Sequence, residues 1–249
     1  MTLHERELAW EGCLNVRDLG GHPTEDGGET RYGAVVRADS IRRLTDAGWA
    51  AAVDYGVRTV VDLRMDAELE ADPPAELPVD VVHVPFLEDD VEAFAEVEAA
   101  AEAAPDYATA TREVYLVFLE RFRENVASAI KAVAHAAEGG VVVHCVGGKD
   151  RTGLVTAFLL HLAGVDNEQI AADYAMSEER LRPRHDLWLA EAGSEVERER
   201  IRRIAATPAE SMVGVLEELE RRYGSVDAYL RTAGLTDDDL ERARERLRG

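Results

Sequence analysis

Cysteine is scarce in this 249-residue chain, which has only Cys13 and Cys145. Two thiols are too few for a disulfide scaffold and fit a reducing compartment. Long apolar runs are missing as well: none approaches the roughly 20 residues that a membrane-spanning helix needs. The opening MTLHERELAWEG lacks the basic start and apolar centre of a secretory signal. Together these absences predict a cytoplasmic protein with no stable membrane insertion. Positive charge is short, with 28 Lys and Arg against 50 Asp and Glu for a net charge of −22. Such a surface repels polyanions, which argues against a nucleic-acid partner and disfavours docking on anionic bilayers. No internal repeat or low-complexity linker divides the chain, and 46% hydrophobic residues suffice for one core, so a single domain over 1–249 is expected. His4, His22, His83, His135, His161 and His185 show no metal-ligand spacing, so neither metal nor cofactor is expected.

What is present alternates. The stretch AAVDYGVRTVVDLR reads as a helix end, a break at Gly56 and a β-branched strand from Val57 to Leu63; VDVVHVPF is a second strand and GVVVHC a third. Short apolar strands between helices imply a buried parallel or mixed sheet and an α/β fold. Between the second and third strands lies a long Ala- and Glu-rich stretch broken at Pro105. It reads as an acidic helix followed by an amphipathic one whose apolar face includes Tyr115, Phe118 and Phe122. The remainder is helical, punctuated at Gly224 and Gly234.

The chemistry concentrates in HCVGGKDRTG, residues 144–153. A strand ends at His144, a loop of small residues follows, and Thr152-Gly153 opens an apolar helix. Backbone N–H groups of such a loop, with the positive end of the helix dipole, form an anion cradle over Val146, Gly147, Gly148, Lys149, Asp150 and Arg151. The same field favours the thiolate of Cys145, a nucleophile at the floor of a phosphate site. Arg151 supplies a fork that grips two phosphate oxygens, which a lysine does less well. Gly147 and Gly148 permit close backbone approach. Thr152 is either a helix N-cap or a hydroxyl that reaches the sulfur. Cys13 reads as a small buried hydrophobe, with a redox partnership to Cys145 as the other reading.

Outside the loop, Arg17 and Asp18 in NVRDLGG and Arg64 in VVDLR stand beside strand ends, where ligands gather in open α/β sheets. They read either as turn and strand-end residues or as support at the pocket rim. The general acid has three candidates, Asp150 in the loop and Asp89 or Asp90 just beyond the second strand; none of Trp10, Trp49 and Trp188 sits beside an aspartate and a proline on a separate loop.

HCVGGKDRTG resembles the signature of cysteine-dependent tyrosine and dual-specificity phosphatases. Its Lys-Asp-Arg form, with NVRDLGG at 15–21, VVDLR at 60–64 and the YGSVDAYLRTAGLTDDDL tail, is similar to the bacterial tyrosine/serine phosphatases over most of the chain. The resemblance implies a protein tyrosine phosphatase-like three-layer fold, a central sheet of about four or five strands flanked by helices, with a helical lid inserted at residues 91–125. It implies Cys145 as nucleophile, Asp150 as the favoured acid, His144 steadying loop and thiolate, and no metal. The expected substrates are phosphorylated proteins or peptides, phosphotyrosine first and phosphoserine or phosphothreonine more slowly. Lys149 resembles a lysine of phosphoinositide phosphatases and adds phosphoinositides as secondary substrates, against which the −22 charge weighs. A rhodanese-like sulfurtransferase or a noncatalytic phosphate-binding module are the alternatives.

Overall fold

A computed structural model describes residues 6–72 and 77–249; His4 lies outside them. Five strands, β1 (Arg17–Asp18), β2 (Val35–Ala38), β3 (Val57–Asp62), β4 (Asp80–His83) and β5 (Gly140–His144), form one sheet in the order β1-β2-β5-β3-β4. Only β1 runs antiparallel to its neighbour. The three central strands are Val-rich because both sheet faces are covered, and period-two alternation sends successive residues to opposite cores. Val141 and Val143 face the larger cluster, while Val142 faces the smaller one with Trp10, Ile41, Ala52 and Val60. The edge strand β4 is exposed throughout.

On the smaller side lies α1 (Asp46–Asp54), which Gly56 terminates with a φ of 103° before β3 begins. After β3 come α2 (Asp66–Ala71), then beyond β4 α3 (Val91–Ala103), α4 (Tyr107–Arg121) and α5 (Arg123–Ala134). The break expected at Pro105 falls between α3 and α4, where Asp106 caps α4 by accepting from the Thr109 N–H at 2.8 Å. The predicted apolar face is buried, with Tyr115 and Phe118 of α4 and Phe122, between α4 and α5, in the larger cluster. By contrast α3 buries only Ala93 fully and packs Phe94 and Val97 against that cluster.

After β5 the chain enters α6 (Asp150–Leu162), apolar nearly all round and accordingly enclosed. There follow α7 (Asn167–Glu191), α8 (Glu195–Ala205), α9 (Ala209–Tyr223), α10 (Val226–Thr232) and α11 (Asp237–Arg248). Of these α8 buries no residue at all. Among the described residues no helix is long and apolar enough to cross a membrane.

Parallel pairing sets the C-terminal ends of β2, β5 and β3 level: His144 is in register with both Ala38 and Asp62. Loops leaving that edge therefore converge, and the loop after β5 enters at its centre.

Candidate active site

Residues 145–149 bridge β5 and α6. The carbonyls of residues 145–148 are claimed by groups outside those four: His144 Nδ1 donates to Cys145 O at 3.0 Å, the Ser40 N–H to Val146 O at 3.1 Å, and Asn15 Nδ2 to Gly147 O at 3.2 Å. Gly148 O accepts from both Asn15 Nδ2 at 3.0 Å and Arg37 Nη2 at 2.9 Å. A trans peptide holds its N–H opposite its C=O, so carbonyls drawn outward turn the N–H groups of residues 146–149 inward. Lys149, at the N-cap of α6, makes no side-chain cap, so the first turn of that helix also presents its N–H groups and dipole to the loop.

Gly148 is required by its surroundings: its φ is 62°, and a Cβ there would lie 2.3 Å from Ala38 O. Gly147 is under no such constraint, its nearest neighbour being a side-chain atom at 3.6 Å. Cys145 is 2% exposed at the cradle floor, and Val146 is partly exposed at its edge. Thr152 is fully buried with no hydrogen-bond partner for its hydroxyl among the described residues.

Arg151 is clamped bidentately by Glu68 of α2, Nη1–Oε2 2.5 Å and Nη2–Oε1 2.9 Å, and Nη1 reaches Leu63 O at 3.5 Å. Burial works against the Arg151 charge, but the Cys145 charge and the Glu68 bonds outweigh it and hold the guanidinium protonated. Glu68 is steadied in turn by the Met65 N–H at 2.8 Å. Asp150 Oδ1 accepts from Tyr115 Oη at 2.6 Å and lies 3.3 Å from Lys149 Nζ. Burial, and then Asp150, push the Tyr115 phenol well up, so it stays a donor. Lys149 is buried and spends its ammonium on Ile204 O (2.5 Å) and Ala206 O (3.2 Å) at the end of α8. Asp89 is exposed, and Asp90 caps α3 by accepting from the N–H groups of Glu92 and Ala93, both at 3.0 Å.

His144 is wholly buried, and burial depresses its pKa, so it is neutral with its Nδ1 proton fixed by the Cys145 carbonyl. Its Nε2 faces Asp62 at 3.5 Å, and Asp62 is gripped by Arg64, Nη2–Oδ2 2.7 Å. Arg64 is 2% exposed and therefore inside rather than at a rim; it reaches the loop only through Asp62 and His144.

Arg17 is also internal. It donates to Asp173 Oδ1 (3.0 Å), Ser177 Oγ (3.1 Å) and Asn15 Oδ1 (2.5 Å), so it orients the asparagine that holds Gly147 and Gly148. Arg37 joins from β2, Nη1–Asp173 Oδ2 2.6 Å, and Arg6 adds Nη2 at 3.6 Å. Burial would raise Asp173, but Arg17 and Arg37 outweigh it and keep the carboxylate ionised far below its usual range. Three guanidiniums against one carboxylate thus leave positive charge buried behind the cradle of an acidic protein. Asp18 lies elsewhere: Oδ1 accepts from Gly20 N–H (2.6 Å), Oδ2 from Gly33 N–H (2.7 Å) and Tyr55 Oη (2.6 Å), a turn anchor away from the loop.

Sequence reasoning passed over Asn15, Arg37, Glu68 and Asp173. Asn15 stood inside the quoted NVRDLGG, and an arginine in the apolar run VVRA was a readable sign of a buried charge with a partner. Glu68 carried no sign, being one acid among many in DAELEA.

The chain matches the model of the tyrosine phosphatase family over residues 8–249. It is 29% identical to the triple specificity protein phosphatase PtpB of Mycobacterium tuberculosis, over 98% of this chain and 99% of that protein. It is 28% identical to a tyrosine-protein phosphatase of Nostoc commune, over 86% of this chain and 74% of that one. With a family match over residues 8–249, the protein belongs to the tyrosine phosphatase family.

Proposed function

We propose that the protein hydrolyses phosphomonoesters without a metal, through a cysteinyl-phosphate on Cys145. The Cys145 thiolate attacks phosphorus as the ester P–O bond breaks, and Asp150 passes its proton to the departing oxygen. Water then attacks the phosphorus, Asp150 takes a proton from it, and the S–P bond breaks to return thiolate and inorganic phosphate. Inward N–H groups and Arg151 carry the charge that spreads over the equatorial oxygens. The observation that carries the reading is the loop whose carbonyls at residues 145–148 are each bonded away from it, with a buried cysteine at its floor and a clamped arginine beside it.

Phosphotyrosine on proteins or peptides is the preferred class, with phosphoserine and phosphothreonine slower, because a buried nucleophile favours an ester whose aryl ring spans the depth of the cradle. Soluble inositol phosphates or short-chain phosphoinositides are secondary substrates. The name of the Mycobacterium tuberculosis relative, a triple specificity phosphatase, supports that breadth. Lys149, bonded to the end of α8, adds its charge at the mouth but offers a substrate its ammonium only if α8 yields. A cytoplasmic site of action accords with two cysteines that are both free thiols.

The test is p-nitrophenyl phosphate hydrolysis with EDTA, vanadate or iodoacetamide added. Turnover should survive EDTA and fail with the other two, and Cys145→Ser should abolish it while retaining phosphate affinity. Full activity in Cys145→Ser, or thiosulfate turnover exceeding phosphate-ester turnover, overturns the reading. For the acid, Asp150→Asn should slow an alkyl phosphate far more than p-nitrophenyl phosphate; the same pattern in Asp89→Asn or Asp90→Asn instead moves the role there.

A further inference from the structure

Arg184 has no part in the scheme above. It follows Pro183 in α7 and is 6% exposed, while Leu187 and Trp188 just beyond it are at the surface. A buried guanidinium is costly unless its donors are satisfied. Yet Nε and Nη1 of Arg184 have no hydrogen-bond partner among the described residues. The carboxylate beside it, Asp39 Oδ2, is 3.7 Å from Nη1, beyond hydrogen-bond length. Asp39 is not free to close that gap, since its Oδ1 accepts from the N–H groups of Leu14 (3.0 Å) and Asn15 (2.9 Å). The Trp188 ring, 5.6 Å from the guanidinium carbon, holds the other side.

The guanidinium is aimed at the phosphate loop. Nη2 lies 3.6 Å from the point where a Cβ on Gly147 would stand, two residues from the nucleophile, and the charge of Cys145 acts on it. Strand order fixes which side it occupies. β2 and β3 flank β5, and Arg151 is tied to Leu63 and Glu68, both of which follow β3. Arg184 stands by Asp39, which follows β2. The loop therefore lies between two guanidiniums, one on either side of the central strand.

We propose that Arg184 is a second phosphoryl-binding arginine of this site, donating from Nη2, the nitrogen it holds over Gly147, to an oxygen of the substrate phosphate on the β2 side while Arg151 serves the β3 side. The proposal rests on the phosphatase reading of the loop. Asp39 and Trp188 keep the guanidinium in place before substrate arrives, so little ordering remains to be done on binding.

Inorganic phosphate titrated by calorimetry into the full-length Cys145→Ser protein tests it. Arg184→Met, which keeps the length of the stem without the charge, should weaken phosphate binding about tenfold or more, as loss of a charge-assisted hydrogen bond does. Arg151→Met should weaken it as well. Unchanged affinity in Arg184→Met beside a clear loss in Arg151→Met overturns the proposal and leaves the loop reading intact. No phosphate binding by the Cys145→Ser parent, or binding indifferent to Arg151→Met, overturns the loop reading itself and this proposal with it. Thermal melts of each variant accompany the titrations. If Arg184→Met does not fold, Arg184→Lys takes its place: about threefold weakening is expected, because a point charge replaces a fork, and undiminished affinity overturns the proposal.

Discussion

Single residues decide whether the loop between β5 and α6 is a cradle or an ordinary turn. Gly148→Ala sets a Cβ 2.3 Å from Ala38 O at a φ of 62°, so it should cost at least about 2 kcal/mol in urea unfolding and most of the activity. Gly147→Ala meets nothing nearer than 3.6 Å and should stay within about 0.5 kcal/mol of the parent. Equal losses at the two positions would show that the glycines are not distinguished by backbone approach. Asn15 is the donor that two consecutive carbonyls share, and Asn15→Ala leaves Gly147 O with no donor. A buried acceptor left unsatisfied costs about 1–3 kcal/mol, and kcat/KM should fall about tenfold as the inward N–H groups lose their aim. An Asn15→Ala enzyme with parental kcat/KM would mean that Arg37 alone suffices. Glu68→Gln keeps the shape but loses the charge that fixes Arg151, so KM for p-nitrophenyl phosphate should rise severalfold with little change in melting temperature.

Elements differ in how firmly they are held. α4 and α6 are embedded, whereas α3 and α8 lie on the outside with almost nothing buried. The two meet where Arg203 of α8 donates to Ala101 O of α3 at 3.4 Å, and Tyr107 at the start of α4 donates from its Oη to Glu199 of α8. Lys149 fastens the far end of α8 to the phosphate loop. For the lid expected within residues 91–125 we propose α3, with α8 coupled to it through Arg203. Elements with little buried surface open at small free-energy cost. Deleting residues 92–106 should speed both peroxide inactivation of Cys145 and access of bulky substrates; if neither rate changes, α3 is not a lid. Lys149→Met should raise hydrogen exchange across 195–206, because carbonyls at a helix end lose a cationic partner.

At the scale of the molecule, buried charge ties stability to pH. Burial pushes His22 down to about 4 and depresses His144 as well, so both are neutral in the fold. The unfolded chain binds protons at these histidines near pH 6.5 while the folded one does not. Stability is therefore full above about pH 6.5 and declines as pH falls toward 4, by up to about 3 kcal/mol for His22. Asp173, depressed by its arginines, contributes a further loss only below the ordinary carboxylate range. Melting temperature measured from pH 7.5 to 4.5 should fall through this window, and more gently in His22→Gln. A flat profile in the parent protein would refute the assignment.

Periodicity and composition alone gave the α/β class, the apolar strand from Val57, one residue too long at its Leu63 end, the strand ending at His144, the break at Pro105, and the position of the loop from Cys145 to Arg151, because each is local: alternation, a helix start and a run of small residues are properties of neighbouring positions. The short strand Val35–Ala38 was not read, being only four residues with an arginine inside, and its identity depends on pairing with β5. Position across the sheet was beyond the sequence for the same reason. Arg17 and Arg64 stand beside strand ends as expected, but only packing decided that they face inward and act on the loop through Asn15 and through Asp62 and His144. Glu68 on Arg151, Asp173 under Arg17 and Arg37, and Arg184 over Gly147 join residues 83, 156, 136 and 37 positions apart. Contacts of that kind follow from the strand order that brings β2, β5 and β3 side by side, and strand order is set by how buried surfaces fit together, which no stretch of sequence carries by itself.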